Sequence, residues 1–311
     1  MGHTLTTFVL NHRINDINME KKTIAVIGAT GAQGKGVVST LVKEGSFTVR
    51  AVTRNPDRYT GEAHEVVKGD LTDNPSLKEA FRDAYGVFVV TNFWEGADEL
   101  AQGHSAVQAA KEAGVSHFVW STLPDVETIS GGQLHVPHFT GKARVDELIR
   151  NSGFPYYTFV QPPFYFQNLN GQLGAQPQQD GSLGWTLPID PTKKVIHMAD
   201  INDLGKVVAG AFLHPDQVGH GSYLALATEL NSFNDVLAVF QANGKAYTFN
   251  QVPGEVFSTF FEGAGEIAQM MAYFEQYTYM GPDAADRIMM ANKIATDNFL
   301  TLDQWIKQHV K

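Results

Sequence analysis

From Lys21 onward, short apolar runs alternate with stretches whose apolar residues recur every three or four positions. Thr23-Ile24-Ala25-Val26-Ile27 is an apolar run that ends in glycine, as a strand buried on both faces of a parallel sheet does. Residues 34–44 then place Val37, Val38, Leu41 and Val42 on one face of a helix. The same beat predicts further strands at 47–53, 65–67, 86–91, 117–120 and 156–160. Helices are expected between them at 75–82, 97–113 and 139–151. Strands and helices alternating at this spacing predict an α/β fold, a doubly wound parallel sheet of the Rossmann type.

The rhythm changes after Asn168. Residues 170–192 are rich in Gly, Gln, Pro and Asp and read as a loop with room for one hairpin. Two strands follow at 194–198 and 222–226, with helices near 201–213, 232–243, 254–279 and 283–298. A closing amphipathic helix at 301–310 turns Leu302, Trp305 and Ile306 inward. The expected division is a dinucleotide-binding domain over 21–168 and a smaller α/β lobe over 169–311 that completes one cleft, with exchange of strands between them allowed. Residues 1–20 fall outside the pattern. Their short apolar patch, Leu5 to Leu10, runs at once into Asn11, His12 and Arg13, so they read as a loose extension or an arm on a neighbour and not as a signal peptide.

The first strand-to-helix junction carries the strongest chemical signal. Gly28-Ala29-Thr30-Gly31-Ala32-Gln33-Gly34 has the spacing G-x-x-G-x-x-G. Backbone amides at a helix N-terminus receive a pyrophosphate with help from the helix dipole, and glycines let the backbone come close. A glycine triplet alone is weak evidence; this one stands directly after a buried strand and directly before an amphipathic helix. The second strand indicates the cofactor. A free ribose 2′-hydroxyl calls for Asp or Glu at its end. Here it ends Thr53-Arg54-Asn55, and the planar fork of Arg54 suits a 2′-phosphate. NADP(H) is therefore expected over NAD(H). Asp70, after the third strand, either accepts from the adenine amino group or caps a turn. Thr91-Asn92-Phe93, after the fourth strand, is expected to line the ribose side of the cofactor.

Composition narrows the alternatives. The 311 residues are 43% hydrophobic and 18% charged, with a formal net charge of −10 and no long run of one sign. That charge argues against nucleic acid as the main ligand. No apolar stretch approaches the roughly 18 residues that a membrane helix needs. There is no cysteine, so disulfides and thiolate chemistry are impossible. A cysteine-free chain suits a reducing compartment, and the cytoplasm is the expected location, with the nucleus second. His135, His138, His197, His214 and His220 lack the spacing of a metal site, and no metal is expected.

Several segments carry a resemblance. Gly28–Gly34, Val52-Thr-Arg-Asn-Pro56, Val90-Thr-Asn-Phe-Trp-Glu95, His138-Phe-Thr-Gly-Lys142 and Phe164-Tyr-Phe-Gln-Asn-Leu169 resemble the NmrA-like family of atypical short-chain dehydrogenase/reductases. The closing Thr301-Leu-Asp-Gln-Trp-Ile-Lys-Gln-His309 resembles the end of an animal member. The resemblance implies NADP(H) binding by the Gly28, Thr30, Gly31, Ala32, Gln33 and Gly34 loop, Arg54, Thr91, Asn92, Lys142 and the Tyr165, Phe166, Gln167 and Asn168 segment. In the animal member it also implies a redox-sensing role, dimerisation and a protein partner governed by NADPH.

Short-chain reductases use Tyr-x-x-x-Lys on the helix after the fifth strand, where four-residue spacing puts both side chains on one face. The tyrosine donates a proton to a carbonyl oxygen, and the lysine holds the ribose and lowers the tyrosine pKa. In this chain Lys142 is present, His138 replaces the tyrosine, and Ser121 stands where the family's serine would. Two functions follow. One is an NADP(H) sensor and regulator without efficient turnover. The other is an NADPH-dependent reductase of a small carbonyl or quinone, with His138 as acid.

Overall fold

A computed structural model describes residues 21–310, except 97 and 172. In chain order the first half gives β1 (Thr23–Ile27), α1 (Ala32–Glu44), β2 (Thr48–Thr53), β3 (Glu65–Lys68), α2 (Asn74–Phe81), β4 (Gly86–Val89) and α3 (Glu99–Glu112). It continues with β5 (His117–Ser121), the short α4 (Val126–Ile129), α5 (Pro137–Arg150) and β6 (Tyr156–Gln161). The second half gives β7 (Phe164–Tyr165), β8 (Gln176–Pro177), β9 (Leu183–Leu187), β10 (Ile196–Ala199), α6 (Leu204–Leu213), α7 (Pro215–Val218) and β11 (His220–Ala225). Then come β12 (Glu229–Asn231), α8 (Phe233–Ala242), β13 (Thr248–Gln251), α9 (Gly254–Phe257), α10 (Ala264–Tyr277), α11 (Ala284–Ile294) and α12 (Leu302–His309).

Seven strands form one parallel sheet in the order β11-β6-β5-β4-β1-β2-β3. This is the doubly wound Rossmann arrangement expected from the alternation of strands and helices. The central strands β1, β4 and β5 are almost wholly buried, which accounts for their unbroken apolar runs. The edge strand β3 alternates half-buried and exposed positions, because only one of its faces is covered. On one face α1 and α6 pack Val37, Val38 and Leu41 with Val207, Val208 and Phe212. On the other, α2, α3 and α5 supply Leu77, Phe81, Ala106, Val145 and Ile149. The strand order reverses between β1 and β4, which opens a crevice at the carboxyl ends of the strands.

Two three-stranded sheets, β12-β10-β7 and β13-β9-β8, stand beside this layer with α8, α10 and α12. Their core centres on Trp185, which packs against Phe233, Phe240 and Tyr247, and on Trp305 against Phe166. The closing helix is fixed by a capping box between Thr301 and Gln304. β11 and α6, both from beyond residue 168, belong to the large sheet and its helix layer.

Three features depart from the sequence reading. The single helix expected at 254–279 is two helices, α9 and α10, joined by residues 258–263. Gly263 precedes α10 at a φ of +87°, a left-handed backbone that ends one helical path and starts another. β12 and β13 lie in segments for which the sequence pattern indicates no strand; β13 is mostly polar or exposed and is held by pairing with β9. The proposed N-terminal arm, residues 1–20, lies outside the described residues.

Candidate functional site

A cavity of about 1010 Å³ opens at the carboxyl ends of β1, β2, β4 and β6, at the point where the strand order reverses. That is the upper end of the roughly 300–1,000 Å³ typical of small-molecule sites. It has two ends of different character.

At the first end, Gly28 turns sharply and its carbonyl accepts from Gly31 N at 2.8 Å. Gly31 then precedes α1 with no side-chain cap, and the first turn of α1 carries no acidic residue. Among the described residues no side chain caps those amides, which leaves them to an anionic ligand. A Cβ on Gly34 would lie 2.0 Å from Gly28 O, so the turn cannot close this tightly with any other residue. Thr53, Arg54, Gly69, Asp70 and Leu71 form the adjoining wall. Asp70 lines the cavity, and its Oδ1 accepts from Thr72 N at 2.9 Å and Thr72 Oγ1 at 2.8 Å, which caps the local turn. Those bonds, together with nearby Arg54, hold its carboxyl below the usual range. This uncapped helix start, the glycine cradle and the Arg54 fork fit a dinucleotide with a 2′-phosphate.

In the middle, Lys142 is buried and donates to Thr91 O at 3.0 Å, to Thr91 Oγ1 at 2.8 Å and to Glu99 Oε1. Burial pushes the ammonium pKa down, and the Glu99 carboxylate opposes that shift. All three ammonium protons are thus directed at protein. Asn92 accepts from Trp94 N at 3.2 Å and caps the short turn that carries Phe93 and Trp94.

At the far end, His138 begins α5, after Pro137 in the helix's first position. Glu266, from the start of α10, receives both the His138 backbone N–H at 3.0 Å and the ring Nδ1. Burial raises the Glu266 pKa, but the ring and the backbone donor outweigh it and hold the carboxyl below its usual range. Nε2 has no protein partner among the described residues, and the ring lines the cavity. Phe93 and Trp94 pack beside it with ring centroids 5.9 and 5.1 Å away. Leu173, Phe261, Glu262, Ile267, Met270 and Tyr279 complete this end.

A family model for the NmrA-like family matches residues 20–308. The chain belongs to the NmrA-like family. The NmrA-like family domain-containing oxidoreductase FrzB of Cladobotryum sp is 30% identical over 294 residues, covering 85% of this chain and 87% of the relative. An NmrA-like family domain-containing protein of Dictyostelium discoideum is 26% identical, covering 87% and 93%. Among solved structures, NmrA, a negative transcriptional regulator, in complex with NADP superposes with a TM-score of 0.77. It is 22% identical and covers 93% of this chain and 95% of that one. The NADPH-dependent quinone oxidoreductase QOR2 of Escherichia coli, complexed with NADPH, gives 0.73 at 17% identity, covering 93% and 100%. These structural likenesses show the fold.

Within this NmrA-like chain, Gly28, Thr30, Gly31, Ala32, Gln33, Gly34, Arg54, Asp70, Thr91, Asn92, Phe93, His138, Lys142, Tyr165 and Asn168 all line the one cavity. Three expected residues do not. Ser121 is fully buried and donates to Gln33 Oε1 at 2.8 Å, so it braces the glycine loop from behind. Phe166 and Gln167 belong to a tight helical turn of about three residues, which leaves Tyr165 and Asn168 at the cavity and turns these two away. Phe166 packs on Trp305, and Gln167 bonds Asp200 at 2.9 Å and Ile201 N at 3.1 Å. Tyr165 stays at the cavity with its hydroxyl beside Gln33, and burial pushes its pKa well up. Glu99, Glu266, Trp94, Phe261 and Glu262 were not singled out from the sequence. Glu266 meets His138 across 128 residues, and Glu99 meets Lys142 across 43. No local spacing signals either pair.

Proposed function

We propose that this chain is an NADPH-dependent oxidoreductase in which His138, held by Glu266, takes the place of the short-chain reductase tyrosine. The observation that carries the reading is the clamp on His138: one Glu266 oxygen accepts from both its backbone N–H and its ring Nδ1, and the ring lines the wide end of the cavity. The oxidoreductase names of curated relatives, FrzB among them, support it.

The Gly28–Gly34 loop and the start of α1 would hold the pyrophosphate, and Arg54 the 2′-phosphate. When bound, the reduced nicotinamide supplies hydride. Glu266 fixes the ring through Nδ1 and keeps Nε2 aimed at the cavity, where it gives a proton to a substrate oxygen. The Lys142–Glu99–Thr91 cluster fixes the strand end from which Asn92 and Phe93 emerge. It leaves the lysine no proton donor for a ribose hydroxyl in this geometry.

That last feature favours a second reading, a regulatory NADP(H) sensor with a redox-dependent protein partner or dimer, in which cofactor is bound and not turned over. Following NADPH absorbance with a panel of aldehydes and quinones separates the two. Turnover that prefers NADPH to NADH is expected. No turnover on any substrate, with NADPH bound far more tightly than NADP⁺, supports the sensor, because only differential affinity shifts a population.

A further inference from the structure

The far end of the cavity has a charge pattern of its own. Among the described residues, Arg54 and Lys142 are the arginine and lysine that line the cavity. Arg54 stands at the nucleotide end, at the close of β2 and within the electrostatic reach of Asp70. Lys142 gives its donors to Thr91 and Glu99. The far end therefore has no lysine or arginine of its own, and Glu266 balances its proton donor, His138. It does present carboxylates: Glu262 on its rim and Glu266 behind His138. A chain with a net charge of −10 adds to the same field.

Its walls are flat and apolar. Trp94 and Phe261 remain 63% and 51% exposed although both line the cavity, the first from the loop after β4 and the second from the break between α9 and α10. Large aromatic faces left open at the mouth of a site, with Phe93 edge-on and the His138 ring tilted against Trp94, suit a planar aromatic guest. Leu173, Ile267 and Met270 offer no further polar group.

We infer that this end selects flat aromatic carbonyl compounds that carry no negative charge, with Trp94 and Phe261 as the stacking faces and Glu262 as the filter against anions. The inference rests on the oxidoreductase reading for its chemistry. The carbonyl carbon receives hydride from the reduced nicotinamide, the C=O π electrons move to oxygen, and that oxygen takes the His138 proton. The products are an alcohol and NADP⁺, and His138 regains its proton from water.

The test uses a matched pair that cannot be reduced, 2-naphthamide and 2-naphthoate, titrated calorimetrically into the protein saturated with NADP⁺. 2-Naphthamide binds about tenfold tighter than 2-naphthoate, since the Glu262 carboxylate at the rim repels the anion. In Glu262→Gln the two come within about threefold. In Trp94→Ala both weaken together, by roughly three- to tenfold. Equal binding of the pair by the unaltered protein, or discrimination that survives Glu262→Gln, overturns the inference. Binding as expected without any reduction of 2-naphthaldehyde by NADPH sinks the oxidoreductase reading and leaves the ligand class standing.

Discussion

At the nucleotide end, one continuous stretch, Gly28–Gly34, makes most of the wall, and Arg54 joins it from the next strand. At the far end the wall is assembled from the loop after β4, the start of α5, Leu173 and the segment around Gly263. The first end works through backbone amides and a helix start, which depend on a short local pattern. The second works through side chains that meet only because the fold brings them together. On the proposed reading the first end holds the cofactor and the second selects the substrate.

The largest expected effect strikes the first end. Gly34→Val puts side-chain atoms into the Gly28 carbonyl, where a Cβ alone would already lie 2.0 Å away. Loss of measurable NADPH binding by calorimetry is expected, with far-UV circular dichroism checking that the fold survives. Near-normal affinity in a folded variant would mean that the glycine turn is not the pyrophosphate cradle.

A smaller effect tests the cofactor type. Arg54→Ala should weaken NADPH by about 10- to 100-fold, the range of about 1.5–3 kcal/mol for a bond to a charged group, and leave NADH almost unchanged. Equal losses for both nucleotides refute the assignment of Arg54 to the 2′-phosphate.

The smallest effect marks where the site ends. Asp146 lies on α5 one turn past Lys142, buried, with Tyr223 donating to one oxygen at 2.7 Å and the Thr122 hydroxyl also near the carboxyl. Burial raises its pKa from 3.8 to about 7. The folded state thus binds this proton more tightly than the unfolded chain does. The stability so gained is full below about pH 4 and is lost as pH rises toward 7. Asp146→Asn should therefore gain melting temperature relative to the unaltered protein at pH 8, and gain less or nothing at pH 5, with NADPH affinity untouched. An equal change at both pH values contradicts the burial account.

The same contrast explains what could be read from the residues. The parallel sheet was legible because β1, β4 and β5 are buried on both faces and leave unbroken apolar runs. The glycine loop was legible because its function depends on neighbours in sequence. β13 was not, since its polar residues are held by β9 and not by their own periodicity. Nor was the break before α10, where one left-handed glycine decides the path. His138 was recognisable by its position four residues before Lys142. Its partner Glu266, 128 residues on, was not. Phe166 and Gln167 failed the other way: a motif read as a continuous lining is a tight turn that shows the cavity only Tyr165 and Asn168.

The central claim is that His138 supplies the proton. Its most direct test is single-turnover oxidation of bound NADPH by an aromatic aldehyde, comparing the unaltered protein with His138→Phe. The account predicts a loss of roughly 10²- to 10⁴-fold in rate, the usual worth of a positioned acid, with NADPH affinity unchanged. A variant that turns over at the original rate contradicts it.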